Sequence, residues 1–227
     1  MPSRKKTAMF ASAFLTCVCS FVIICVALAT QHWMSSDVRF SGTNSSVTVS
    51  LTYGLFSGTC GQFVEAGLMV SEKTFRVSVN LSNTKAKSTI AAIIVILVLS
   101  LLTSLLSSGF TCSNAVSNPY QTFLGPIGVY TWNSLSGVFI LIAMILFPVN
   151  VEQNDLSVEL ARGCFSALQT HLKSEHTYGY SYWIMLLIIF LNITSTIIIY
   201  FYEHARYSKK KEQERPIENA PKDVILF

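Results

Sequence analysis

The feature that most limits this chain is where its charges are missing. No Asp, Glu, Lys or Arg occurs from Thr7 to Ser36, from Ser88 to Val151, or from His176 to Tyr202. A helix rises about 1.5 Å per residue and bilayer hydrocarbon is about 30 Å thick, so one crossing takes about 20 apolar residues. The first gap holds one such run. The second holds two, split by the polar, turn-rich "SNAVSNPYQTFLGP", and the third holds one. A helix in water needs a polar face, and these four segments have none. Composition agrees, since 12% of residues are charged where soluble domains carry about a quarter. The reading is a membrane all-α four-helix bundle with spans at 8–29, 89–111, 127–149 and 181–202. The first run outlasts the roughly 7–15-residue core of a cleaved signal peptide, and no small-x-small site follows it.

Lys and Arg near span ends set orientation. Arg4, Lys5 and Lys6 precede the first span, and Arg206 with Lys209, Lys210 and Lys211 follows the fourth. An even number of spans puts both ends on one side. The 1–7 segment, the 112–126 loop and the 203–227 tail are therefore expected in the cytoplasm of a plasma-membrane protein, with loops 30–88 and 150–180 outside. Glycan acceptor tripeptides begin at Asn44 and Asn80, both in the first outside loop, and predict N-glycosylation there. A third, at Asn192, lies within the fourth span, where the transferase cannot reach. Cys112, just inside the second span, reads as a packing cysteine or as a palmitoylation site.

The outside loops carry different patterns. "VTVSLTY" alternates strictly, with Val47, Val49, Leu51 and Tyr53 on one face, as in a half-buried strand. "FRVSVNL" repeats the alternation and sets Asn80 on the polar face, and "VRF" near Val38 adds a short strand. The expectation is a small extracellular antiparallel β-sheet in the first loop, its apolar face on the helix ends. Gly54 ends a strand, freeing Leu55 and Phe56 to pack down near Trp33 at the interfacial depth that Trp favours. In the second loop Leu156, Leu160, Cys164, Leu168 and Leu172 recur every four residues behind Asp155, which predicts a short amphipathic helix. "TYGYSYW" then re-enters through an aromatic belt.

Catalytic chemistry finds no foothold. The spans hold no ionisable group at depth, which weighs against pumps and carriers. His32, His171, His176 and His204 lack metal-ligand spacing. No cofactor, metal or nucleic-acid partner is expected. Small residues at four-residue spacing (Ala8, Ser12, Thr16 and Ser20 in the first span, Ser100, Ser104 and Ser108 in the second) predict close helix packing, with lateral self-association or partner binding as a further use. Asn133 and Asn192 read as interhelical hydrogen-bond donors, and Cys17, Cys19 and Cys25 as small packing residues. Cys60 and Cys164 are the only outside cysteines. They form a disulfide, remain free, or pair between molecules. The tail from Ser208 is charged, contains Pro216 and Pro221, and reads as disordered. It ends "DVILF", where Ile225 and Phe227 would point to one side of an added strand, as PDZ-type grooves require. Folding of this patch against the inner leaflet is the other reading.

Trp33, then Gly54-Leu55-Phe56 and a cysteine in a strand-rich loop, resembles the claudin-type tetraspan pattern. Phe56 stands where claudins have a second Trp, and Cys60 lacks the partner that claudin sheets carry in the same loop. A fuller resemblance, over nearly the whole chain, is to the clarin family. It rests on the basic amino terminus, "YGLFSG", "SLLTSLLSSGFTCSNAVSNPYQTFLGPIGVYTWN" and the ending "APKDVILF". The resemblance implies a non-enzymatic, claudin-like tetraspan tied at family level to hair-cell and sensory function (hearing) and to membrane–cytoskeleton organisation. The expected function is a structural membrane organiser; a channel-forming or channel-modulating subunit is the alternative.

Overall fold

The computed structural model describes residues 4–41, 46–64, 68–116, 125–166, 168 and 170–218. The elements run α1 (Arg4–Ala29), β1 (Met34–Ser41), β2 (Ser46–Tyr53), β3 (Ser57–Val64), β4 (Leu68–Arg76) and α2 (Val77–Asn80). There follow α3 (Thr84–Val116), α4 (Pro126–Gln153), α5 (Leu156–Cys164), β5 (His171–Tyr178) and α6 (Tyr180–Glu218).

Thr7–Ala29, Thr84–Val116, Pro126–Gln153 and Tyr180–Ala205 are long and apolar enough to cross a bilayer. Helices satisfy their backbone polar groups internally, which hydrocarbon demands. Their outward faces carry Leu102, Ile145 and Phe190, all mostly exposed, a surface suited to lipid and costly in water. The buried face of α1 is Phe10, Ala13, Cys17, Ser20 and Ile24, not the expected Ala8–Ser12–Thr16 stripe, of which Ala8 and Ser12 are exposed. At about 3.6 residues per turn a four-residue spacing drifts around the helix, so three steps leave the packed face. The shorter Ser100, Ser104 and Ser108 row stays buried.

A five-stranded sheet in the order β4-β3-β2-β1-β5 caps the bundle, and every neighbouring pair is antiparallel. It differs from the expected sheet in three ways. "VRF" extends to all of β1, which buries Met34, Ser36, Val38 and Phe40 in alternation. "FRVSVNL" keeps only Phe75 and Arg76 as strand, and Val77–Asn80 form one helical turn. The reason is the partner: Arg76 lies opposite Ser57, the first residue of β3, so beyond it there is no strand to pair with. Asn80 is therefore not on a strand face. Third, the sheet draws β5 from the second outside loop, with Tyr178 opposite Met34. The helix expected through Leu172 stops at Cys164, Phe165 being extended. Leu172 instead lies on β5, where the free edge of β1 offers backbone partners that a longer helix would forgo. Asp155 does precede α5, but in a left-handed conformation with no side-chain cap bond.

At the other end α6 continues to Glu218, past Ser208, where disorder was expected. Lys209 to Arg215 is an unbroken run of good helix formers. Asn44, Ile225 and Phe227 lie outside the described residues.

Candidate functional site

The joint between sheet and bundle is built around Trp33. Its indole Nε1 donates to the Ala27 carbonyl at 2.7 Å, and its ring lies 5.1 Å from that of Phe147. The backbone of Trp33 is shared as well: its N–H bonds to the Tyr53 carbonyl and its carbonyl receives the Gly179 N–H. Trp33 is fully buried, so it is the pin of the joint rather than an interfacial anchor. The exposed aromatics at the start of α6 are Tyr180 and Trp183, both more than half exposed. Gly54 serves close approach here: a Cβ on it would collide with the Thr30 carbonyl and stand 2.9 Å from Gln31 Cα. Of the two residues behind it, Leu55 is buried in the core and Phe56 is 52% exposed. The expected inward packing holds for Leu55 alone. Phe56 uses its backbone instead, its carbonyl accepting the Val77 N–H that starts the helical turn.

A buried polar cluster sits under the sheet. Ser157 of α5 hydrogen-bonds Ser36 at 2.9 Å and the Tyr53 hydroxyl at 2.7 Å, and Ser36 also meets His176 Nδ1 at 2.9 Å. Four elements are thereby tied: β1, β2, α5 and β5. Burial raises the Tyr53 phenol far above its ordinary value, against the pull of Ser157 and Ser36, so it stays neutral. Nearby, Glu159 accepts the backbone N–H groups of Ser82 and Asn83 and the Ser82 hydroxyl. The Ser82 hydroxyl first, then those amides, hold its carboxyl below the ordinary range.

Cys60 of β3 and Cys164 at the end of α5 are joined as a disulfide, their Cα atoms 6.8 Å apart. The approach requires Gly163, where a Cβ would lie 2.9 Å from Asn80 Cβ. Asn80 itself is half-buried, its Nδ2 3.7 Å from Cys164 Sγ. Lys73 lies over the Phe165 ring and donates to the Cys164 carbonyl.

Within the membrane the polar side chains converge on one junction. Asn133 of α4 accepts from Ser107 of α3 at 2.9 Å and donates to Ser195 of α6 at 3.1 Å, while Cys17 of α1 lies 3.3 Å from Ser195 Oγ and 3.5 Å from Ser107 Oγ. All four long helices meet there. Ser20 donates to Asn192 at 3.0 Å, and Ser100 pairs with Ser136 at 3.0 Å. Asn133 is a donor as expected, whereas Asn192 uses its oxygen. Cys17 is buried at the junction, but Cys19 and Cys112 are exposed. Among the described residues no group of three or more His, Cys, Asp or Glu side chains lies together.

The helix count, the sheet and the joint at Trp33 invite comparison with known tetraspans, and the Clarin-2-like family profile matches residues 5–199. The chain belongs to the clarin family. It is 50% identical to Clarin-3 of Mus musculus and 48% identical to Clarin-3 of Homo sapiens, each over 227 residues covering all of both chains. Clarin-2 of Homo sapiens is 26% identical over 194 residues, 81% of this chain and 82% of its own. These identities group the chain with the third paralogue. As a clarin it is a four-pass membrane protein of claudin-like architecture. Sequence reasoning found Asn133 and the two cysteines, but not the buried Ser157 and Ser195, whose only signal was a polar residue at a core-facing position, nor the half-buried Glu159.

Proposed function

We propose that this clarin is a non-enzymatic organiser of the plasma membrane, with both termini in the cytoplasm and the sheet outside, serving the sensory, cytoskeleton-linked role that the family suggests. The observation that carries the reading is the exposed edge of the sheet. β4 is its last strand, and Leu68, Met69 and Val70 stand there in succession, each more than half exposed. An unpaired apolar edge is a template for another chain. Its mounting is stiff, through the disulfide, the Ser157 cluster and the Trp33 pin, so an edge contact is transmitted to the helices. The buried polar groups of the Ser157 cluster and the Asn133 junction are engaged in holding elements together, which suits a mechanical role. At the inner end, Ile225 and Phe227 supply the PDZ ligand that would couple the bundle to a scaffold.

The edge is tested by Val70→Lys, a charge of the kind that natural edge strands use against pairing. The variant should reach the cell surface normally yet lose its clustering there, measured by fluorescence fluctuation of the tagged full chain. Clustering equal to wild type would overturn the edge. Independently, one glycine appended after Phe227 should abolish recruitment of a PDZ scaffold, because the groove captures a terminal carboxylate at fixed distance. Unchanged recruitment would refute that arm and leave the edge intact.

A further inference from the structure

The seam between α4 and α6 is open on the lipid side. A groove of about 300 Å³ runs along it, with Asn133, Gly137 and Asn192 at its floor and Val138 and Ile193 at its rim. A Cβ on Gly137 would meet nothing within 4 Å. Asn192 is 5% exposed. Its oxygen accepts Ser20, and its Nδ2 has no partner among the described residues. Turning the amide over would let Nδ2 donate to Ser20 and orphan the oxygen instead, so one polar atom is left over either way. Buried polar atoms are nearly always paired. Asn192 lies midway along Tyr180–Ala205, a depth with neither water nor headgroup oxygens. A partner at that depth has to come from another transmembrane helix.

We propose that this groove seats a second copy of the chain. Two copies inserted in the same orientation can be related only by an axis along the membrane normal, and such an interface is self-complementary. Each copy then presents the same residues at the same depth. Asn192 offers the unpaired donor and, on the oxygen that Ser20 contacts, a second lone pair. A reciprocal pair satisfies both copies, with no other polar group required. The shape agrees. Ile193 and Ile197, both about half exposed, form a ridge on α6 directly beside the groove, so each α6 lays its ridge in the other's groove. This surface is distinct from the β4 edge and does not rest on it.

The test uses the full chain, labelled at its amino terminus, in phosphatidylcholine vesicles over a range of lipid dilutions, with association read by single-molecule photobleaching. Wild type should populate dimers, and Asn192→Ala, which removes both bonds of the reciprocal pair, should weaken association by about eightfold, the value for two interhelical hydrogen bonds of average strength. Because Asn192 also holds Ser20, the deciding variant is Gly137→Leu. Its side chain enters open space, fills the groove and leaves the hydrogen bonds of Asn133 and Asn192 in place. It should be monomeric with an unchanged unfolding midpoint. A wild type that is monomeric at every dilution, as when lipid chains alone fill the groove, overturns the proposal. So does a Gly137→Leu chain that dimerises like wild type.

Discussion

Truncating Asn133 to alanine removes the residue on which the four long helices converge, and the cost can be worked from its contacts. Two hydrogen bonds to hydroxyls are lost, to Ser107 at 2.9 Å and to Ser195 at 3.1 Å, and the weaker Cys17 thiol contact to Asn133 Oδ1 at 3.7 Å goes with them. Interhelical hydrogen bonds in membranes average about 0.6 kcal/mol and reach about 1.7, so the pair accounts for about 1.2 kcal/mol. The missing amide leaves a void of roughly 40 Å³, which at about 24 cal/mol per Å³ adds about 1 kcal/mol. The abandoned hydroxyls can turn to carbonyls one helical turn back, so no further desolvation cost is charged. The total is about 2 kcal/mol. Steric-trap unfolding of the full chain in bicelles measures it. A double-mutant cycle with Ser195→Ala isolates one bond and should give a coupling of about 0.6 kcal/mol. A cycle with Ser100→Ala should give almost none, since Ser100 pairs with Ser136 instead. Coupling indistinguishable from zero at Ser195 would refute the reasoning, because the junction would then be no better satisfied in the fold than among separated helices.

Cys164→Ser should loosen the sheet while sparing the helices, seen as faster hydrogen exchange in β3. The chain-entropy value for a loop of about 100 residues, about 4.7 kcal/mol, is an upper bound here because α3 and α4 inside the loop stay confined by the bilayer, and recovery of both wild-type cysteines as free thiols without reduction would refute the staple. Glu159 has a folded pKa below its ordinary value, so its support for the Ser82–Asn83 backbone is present above about 4.3 and is lost as pH falls below it. Exchange protection of those two amides should fall on acidification in wild type and show no such dependence in Glu159→Gln. Asn44→Gln and Asn80→Gln should each remove one glycosidase-sensitive step in mobility, and a tag on the tail should be reached by antibody only after permeabilisation.

How far such features could be read in advance depended on what surrounds them. The four helices were legible because hydrocarbon leaves the backbone no other choice, and their absence of charge is a signal over twenty residues at a time. Asn133 was legible for the same reason: an amide in an apolar run has only another helix to bond. β2 was legible through its strict alternation. β5 was not, because "HLKSEHTY" presents little apolar face and its place is set by the open edge of β1, more than 130 residues earlier in the chain. The turn at Val77–Asn80 was hidden for a related reason. Its alternation matches a strand, and only the end of β3 opposite Arg76 denies it a partner.

The same contrast explains the parts of the site that were missed. Ser157 and Glu159 lie in a polar loop, where a serine or a glutamate would be equally at home in water, so neither stands out until α5 is seen wedged beneath the sheet. Cys60 and Cys164 stood out by scarcity, yet their pairing depended on Gly163, which lets α5 approach Asn80 closely enough to bring the sulfurs together. That approach in turn requires Val77–Asn80 to turn inward. The error at α2 and the open choice between a Cys60–Cys164 bridge and its alternatives therefore have one cause. A strand continuing through Asn80 would have occupied the place where α5 now docks, and Cys60 would have faced no partner.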